Sequence, residues 1–307
     1  MTSDRIVVVR SGAIGDTILL APVVHGLRRA YPSAEIFVVG HFERVSLLVG
    51  PSFATQALSL DQPGIPSLYS ETPDLPSATR DVFQSARWVL WFGEDLDGNL
   101  RRNMEELCPE RFMLHSPNPK PRRHICDHLM DALDRISVPR PEFVPPLEVS
   151  RDLPSDLTDI LSGREGAGDR VVVHPGASNS EKRLSPGIWA DVLRSLSRER
   201  TIRPVVLTGP EEEDLGMELA RKVHDLNPVW IHDHPLREVA ALLANVDLYL
   251  GHDSGITHLA AAIGCRTVAV FRATDPVVWS PRGPHVHVVL IRDERDAVRV
   301  ILQAIRK

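Results

Sequence analysis

Short runs of consecutive apolar residues alternate along this chain with longer stretches whose apolar positions recur every three or four residues. Arg5-Ile6-Val7-Val8-Val9 is continuously apolar and β-branched after its first residue, which predicts a strand buried on both faces of a parallel sheet. After Gly12 and Gly15, Leu19, Val23, Leu27 and Ala30 share one helical face that ends before Pro32. Glu35-Ile36-Phe37-Val38-Val39 then reads as a second strand, so the opening of the chain is a β-α-β unit. Trp88-Val89-Leu90-Trp91-Phe92 predicts another buried strand, followed by a polar turn over Asp95-Leu96-Asp97-Gly98.

Residues 137–156 break the pattern with Pro139, Pro141, Pro145, Pro146 and Pro154, and read as a linker. Beyond it Val171-Val172-Val173 begins the alternation again, with Ser185 and Pro186 as cap and first turn of a helix striped by Ile188, Trp189, Val192, Leu193 and Leu196. Pro204-Val205-Val206-Leu207 is the next strand. Leu236, Val239, Ala240 and Leu243 mark a helix before a strand at 246–250, Arg266–Phe271 is another strand, and Asp293–Ile305 a terminal helix. The expectation is an α/β chain of two Rossmann-like domains, 1–150 and 151–307, each with a parallel sheet.

The 307 residues suffice for two ordinary domains, and 43% hydrophobic with 25% charged residues is usual for a globular enzyme. A net charge of −6 argues against a general nucleic-acid binder. Cys108, Cys126 and Cys265 are widely spaced and form neither a disulfide nor a metal pattern, which suits a reducing compartment. No apolar stretch reaches transmembrane length, and Met1-Thr2-Ser3-Asp4-Arg5 has no signal-peptide profile, so the expectation is a cytoplasmic protein.

The chemistry concentrates where strands hand over to helices. In Gly251-His252-Asp253-Ser254-Gly255-Ile256-Thr257-His258 a strand leads through a turn into an alanine-rich helix that stops at Gly264. The first N–H groups of such a helix lack intrahelical partners and carry partial positive charge, so the expected occupant is a phosphate or pyrophosphate. Ser254, Thr257 and His258 add side-chain donors there. The loop His174–Pro186 offers Gly176, Ser178 and Lys182 for phosphate contact, and otherwise is a solvated basic loop. Arg10-Ser11-Gly12-Ala13-Ile14-Gly15-Asp16 is neither a dinucleotide fingerprint nor a P-loop. There Asp16 either caps a helix or offers a base to a substrate hydroxyl. The run Gly209-Pro210-Glu211-Glu212-Glu213-Asp214 reads most simply as dipole compensation at a helix start, and alternatively as a grip on a ribose diol. His252 and His258 lie six apart outside any zinc frame, and no metal is expected.

Taken in order, these pieces resemble glycosyltransferase family 9, the bacterial heptosyltransferases, over nearly the whole chain. They are Gly15-Asp16, Lys182 after His174-Pro175-Gly176, Gly209-Pro210 with Glu212, Asp253 to Ala262, and Thr274-Asp275-Pro276 with Trp279, Pro281 and Gly283. The resemblance implies a GT-B fold, two facing Rossmann-like domains with a cleft between them. It implies transfer of heptose from ADP-heptose to a lipopolysaccharide inner-core or related glycan acceptor, with inversion and without metal or cofactor. It further implies an amino-terminal domain for acceptor and a carboxyl-terminal domain for the sugar nucleotide. Asp16 matches the general base and Lys182 the residue that neutralises the leaving diphosphate. Glu212 matches the ribose carboxylate, with Glu211 and Glu213 one residue to either side. Gly15, Gly176, Ser178, Gly209, Asp253, Ser254, Gly255, Thr257 and His258 complete the donor set. Arg10 falls where the family often carries a basic residue facing an anionic acceptor, and Arg122, Arg123 and His124 form a second basic stretch suited to the same job. A lipid-linked acceptor implies peripheral contact with the cytoplasmic face of the inner membrane. One departure is Arg272-Ala273, where many relatives carry Gly-Pro, and it suggests an added phosphate contact or altered donor preference. Two rival readings share this architecture: a nucleotide-sugar 2-epimerase, which needs no acceptor, and a sugar-nucleotide binding protein without turnover.

Overall fold

A computed structural model of the chain describes residues 4–155, 157, 158 and 168–307. Met1-Thr2-Ser3, read above for a leader, and residue 156 at the end of the proline-rich stretch lie outside the described residues. The chain forms two compact units, Met1–Glu148 and Val149–Lys307, divided within that stretch. Not all of the stretch is a free connection. Val138 and Leu147 are buried, and Pro141 lies against Gly26 in the helix Ala21–Ala30.

The first unit is built on five parallel strands: β1 (Arg5–Arg10), β2 (Glu35–Gly40), β3 (Gln56–Ser59), β4 (Ala86–Phe92) and β5 (Phe112–His115). Their order is β3-β2-β1-β4-β5. The apolar run in β1 behaves as its pattern predicts: Ile6, Val7, Val8 and Val9 have no exposed surface, because helices cover both faces of the sheet. The helical stripe after it is two helices, Ile14–Ile18 and Ala21–Ala30, not one. Pro22 has no N–H to give the Ile18 carbonyl, so the first helix ends and a second starts with proline in its first turn.

The second unit holds six parallel strands: β6 (Asp169–His174), β7 (Ile202–Thr208), β8 (Val229–His232), β9 (Leu248–His252), β10 (Thr267–Phe271) and β11 (Val286–Leu290). They are ordered β11-β10-β9-β6-β7-β8. In both units the chain builds outward from its first strand in one direction, returns, and then builds in the other. The return opens a crevice beside that strand at the carboxyl edge, between β1 and β4 in one unit and between β6 and β9 in the other. The loops after β1, β6 and β9 border those crevices, and they are the loops that carry the candidate chemistry.

The core of the second unit gathers Val171, Val173, Leu193, Leu196, Val206, Leu250 and Val270 around Trp189 of the helix Pro186–Glu199. Trp189 is fully buried and meets the ring of His252 edge-on at 5.1 Å, directly before Asp253. Truncation of such a tryptophan to alanine costs about 3–5 kcal/mol and here would also loosen the end of β9. Among the described residues no helix is long and apolar enough to cross a membrane.

Candidate functional site

In the first unit β1 ends at Arg10, and the chain passes through Ser11, Gly12 and Ala13 into the short helix Ile14–Ile18. Asp16 stands in the first turn. Its Oδ2 accepts the Ala13 N–H at 2.9 Å, and its Oδ1 accepts from Arg10 Nη2 at 2.7 Å. The carboxylate therefore caps the helix and still leaves 32% of the side chain exposed at the carboxyl edge. Capping and chemical availability, which the sequence offered as alternatives, coexist. A Cβ on Gly12 would lie 2.7 Å from the Asp16 Cβ, so only glycine lets the carboxylate pack down on the loop. Gly15 helps to form the same turn, its carbonyl accepting from Leu19 N–H at 2.9 Å. Arg44, after β2, donates through Nη1 to the Gly12 carbonyl. Sequence reasoning passed over Arg44, because nothing in its own segment points toward β1.

Two expected acceptor cations are engaged within the unit: Arg10 is buried, and Arg123 keeps a third of its side chain exposed. The Arg10 guanidinium closes on Asp16, so it orients that carboxylate and does not present itself to an acceptor. Arg123 bonds the Asp127 carbonyl and pairs with Asp131 on the helix Ile125–Arg135, which engages it within the unit. Arg122 remains exposed, in a left-handed backbone conformation at φ 59°.

In the second unit the loops after β6, β9 and β10 meet on one carboxylate. Asp253 follows β9, and its Oδ2 accepts from Lys182 Nζ at 2.8 Å and from Thr274 Oγ1 at 2.6 Å. Nε2 of His258 lies 3.8 Å from Oδ1. Burial by itself would raise the acid's pKa, but the bonds from His258, Lys182 and Thr274 outweigh it and hold Asp253 down at about 2. Thr274 was quoted in the sequence only as part of Thr-Asp-Pro, and its partnership with Asp253 appears once β9 and β10 are neighbours. Lys182 stands in a single turn, Ser180–Lys182, capped by Asn179, and Ser178 is exposed just before it.

Ser254 caps the helix Gly255–Ile263, its Oγ accepting the Thr257 N–H at 3.3 Å. Among the described residues the N–H groups of Gly255 and Ile256 have no protein partner, which leaves two donors at the positive end of the helix. Thr257 departs from expectation. It is fully buried, its hydroxyl donates to the His252 carbonyl and meets Tyr249 Oη at 3.0 Å, and it supports the turn without facing a ligand.

The acidic run resolves by burial. Glu211 and Glu213 are exposed, whereas Glu212 turns inward and accepts the Gly209 N–H at 3.0 Å. Its Oε2 lies 3.4 Å from His174 Nε2. A Cβ on Gly176 would stand 1.7 Å from Glu212 Oε1, so glycine at 176 is what lets the carboxylate close against the β6 loop. His174 bonds the Gly176 carbonyl through Nδ1 at 3.1 Å, and burial lowers its pKa despite the attraction of Glu212. Arg272, the departure noted in the sequence, pairs with Glu294 at 2.7 Å and donates to the Arg183 carbonyl, contacts made within the protein. Among the described residues no group of three or more His, Cys, Asp or Glu is placed to hold a metal ion.

A carboxylate oriented at the end of β1, and an ammonium with open helix N–H groups at the β6–β9 crevice, suit proton removal and stabilisation of a phosphate leaving group respectively. The chain as a whole is also similar to known proteins. The chain is 23% identical to the lipopolysaccharide core heptosyltransferase OpsX of Haemophilus influenzae, over 94% of this chain and 84% of that protein. Its fold is that of a family 9 glycosyltransferase from Veillonella parvula, with a TM-score of 0.78 at 17% identity, covering 99% of this chain and 97% of that one. The heptosyltransferase WaaC of Escherichia coli, solved with ADP, follows at a TM-score of 0.71 and 15% identity, covering 98% and 99%. The profile of glycosyltransferase family 9 (heptosyltransferase) matches residues 114–303, and the chain belongs to that family.

Proposed function

We propose that this glycosyltransferase moves heptose from ADP-heptose to a lipopolysaccharide inner-core acceptor, with inversion at the anomeric carbon and without a metal ion. The observation that carries the reading is the convergence of Lys182 on Asp253 immediately before a helix whose first N–H groups are open. The second unit takes the donor and the first unit the acceptor. Asp16 removes the proton from the acceptor hydroxyl, and the oxygen attacks the anomeric carbon from the face opposite the nucleotide. The bond between that carbon and the phosphate oxygen breaks, and its electron pair leaves with ADP. Lys182 and the N–H groups of Gly255 and Ile256 balance the charge that develops on the diphosphate. Ser178, Gly209 and Ser254 line the donor loops, and His258 holds Asp253. Glu212 takes the ribose diol, a reading favoured by its inward position between exposed Glu211 and Glu213.

The donor reading is supported by the kinship with OpsX, named a lipopolysaccharide core heptosyltransferase, and by the likeness to WaaC, solved with ADP. Arg122 is the exposed cation left for an anionic acceptor. A lipid-linked acceptor brings the protein to the cytoplasmic face of the inner membrane, and co-sedimentation with acceptor-bearing vesicles tests that contact. The function is tested by incubating the protein with ADP-heptose and heptose-deficient lipopolysaccharide in EDTA, then in magnesium. ADP release with an inverted glycosidic product in both is expected. Donor hydrolysis without transfer, or activity only with metal, contradicts it.

A further inference from the structure

One residue beyond Lys182, the Arg183–Leu184 peptide has both of its polar atoms held from outside its own loop. The Leu184 N–H donates to His252 Nε2 at 2.8 Å, and the Arg183 carbonyl of the same peptide accepts from Arg272 Nη1. His252 directly precedes Asp253, the partner of the Lys182 ammonium, and Arg272 stands two residues before Thr274, the other partner of Asp253. The strands that supply the Asp253 cluster therefore also fix the backbone one residue beyond Lys182.

We propose that Arg272 is a positioning residue for Lys182, a clamp on the backbone that carries it. This rests on the reading of Lys182 as the residue that meets the donor diphosphate. The geometry directs the Arg272 guanidinium to the loop and to Glu294. Its Nη1 serves the Arg183 carbonyl and also Glu294, which begins the turn Glu294–Asp296 ahead of the last helix. Glu294 anchors the guanidinium on one side, and the Lys182 loop receives it on the other. Arg183 extends the clamp by turning its own guanidinium back to the Ala177 carbonyl at 2.9 Å, closing the loop across its width. A lysine ammonium on four rotatable carbons loses much freedom when it meets a phosphate, and a fixed backbone lowers that loss. Arg272 thus acts on donor binding through Lys182, without touching the donor.

The test is a double-mutant cycle read by calorimetry with ADP, supported by thermal melting. The proteins are wild type, Lys182→Ala, Arg272→Met and the double variant, with Arg272→Lys and Glu294→Gln alongside. Arg272→Met is expected to weaken ADP about ten-fold, the weight of one charge-assisted hydrogen bond. Arg272→Lys should recover part of the loss, and the double variant should bind ADP no more weakly than Lys182→Ala alone. Glu294→Gln gives a smaller loss that Lys182→Ala likewise masks, and it serves if Arg272→Met does not fold. Losses that multiply in the double variant overturn the proposal, because Arg272 would then meet phosphate directly or act on the unit as a whole. Unchanged ADP affinity in Arg272→Met overturns it as well. If Lys182→Ala by itself binds ADP like wild type, the role of Lys182 fails first, and that failure is read independently of Arg272.

Discussion

The ammonium nitrogen of Lys182 lies 2.8 Å from Oδ2 of Asp253, 71 residues away in the chain. The contact exists because β6 and β9 are neighbours, so the loops that follow them open on one crevice. Asp253 is almost buried while Lys182 keeps a fifth of its side chain exposed, so the carboxylate anchors and the ammonium has one side left for a ligand.

Replacing Asp253 by asparagine tests that anchor. The side chain keeps its size, and Thr274 keeps an acceptor, but Lys182 loses its counter-charge. Chemical denaturation should show a loss of about 1–3 kcal/mol. ADP affinity should fall as the ammonium leaves its fixed position. A variant as stable as wild type with unchanged ADP affinity would detach Asp253 from the donor site.

Gly176→Ala places a methyl group where the Glu212 carboxylate now sits, 1.7 Å from Oε1. Glu212 has to swing away from Gly209 and His174. Calorimetry should then show ADP binding weakened about ten-fold or more, if one charge-assisted bond to ribose is lost. Adenosine, which has the ribose without the phosphates, should lose affinity in proportion. If adenosine binding is unaffected, Glu212 does not hold the ribose.

His252 makes stability depend on pH. Burial, with His174 beside it, lowers the His252 pKa from 6.5 to about 3, in keeping with a neutral ring whose Nε2 accepts the Leu184 N–H. The unfolded chain binds this proton at a higher pH than the folded one. The stabilisation is therefore complete above pH 6.5 and declines as pH falls toward 3, by about 2 kcal/mol between pH 6.5 and about 5. His252→Gln keeps an acceptor for Leu184 and removes the proton site. Its stability, followed by denaturant titration at several pH values, should be flatter than wild type across that window. Parallel curves would show that His252 is not the group responsible.

Strands buried on both faces were legible from sequence, since a continuous apolar run such as Ile6 to Val9 has few other uses. The short edge-side strands were not. Gln56–Ser59 and Phe112–His115 have four residues each and mixed polarity, and neighbouring strands define them more than their own pattern does. The strand read as 246–250 runs from Leu248 to His252, because Gly251 and His252 are buried beside β6 and β10, a placement that composition does not signal. Among candidate residues, position at a strand-to-helix turn was legible: Asp16, Lys182, Glu212 and Asp253 all stand in loops or first turns that follow a strand. Which way a side chain faces was not legible. Arg10, Arg123 and Thr257 all look available in sequence, and each is engaged within its own unit once Asp16, Asp131 and the His252 carbonyl are in place. Thr274 and Arg44 were missed because their partners lie on other strands. Family membership removes the isomerase reading, which the loops alone left open.

The proposed chemistry begins with Asp16, which Arg10 and the Ala13 N–H orient toward the acceptor proton it is proposed to take. The most direct measurement is the steady-state rate of Asp16→Asn with ADP-heptose and a heptose-deficient lipopolysaccharide acceptor, alongside ADP binding by calorimetry. Turnover should fall about 10²–10⁴-fold, with ADP affinity unchanged. Turnover within a few-fold of wild type would rule out Asp16 as the base and leave it as no more than a helix cap.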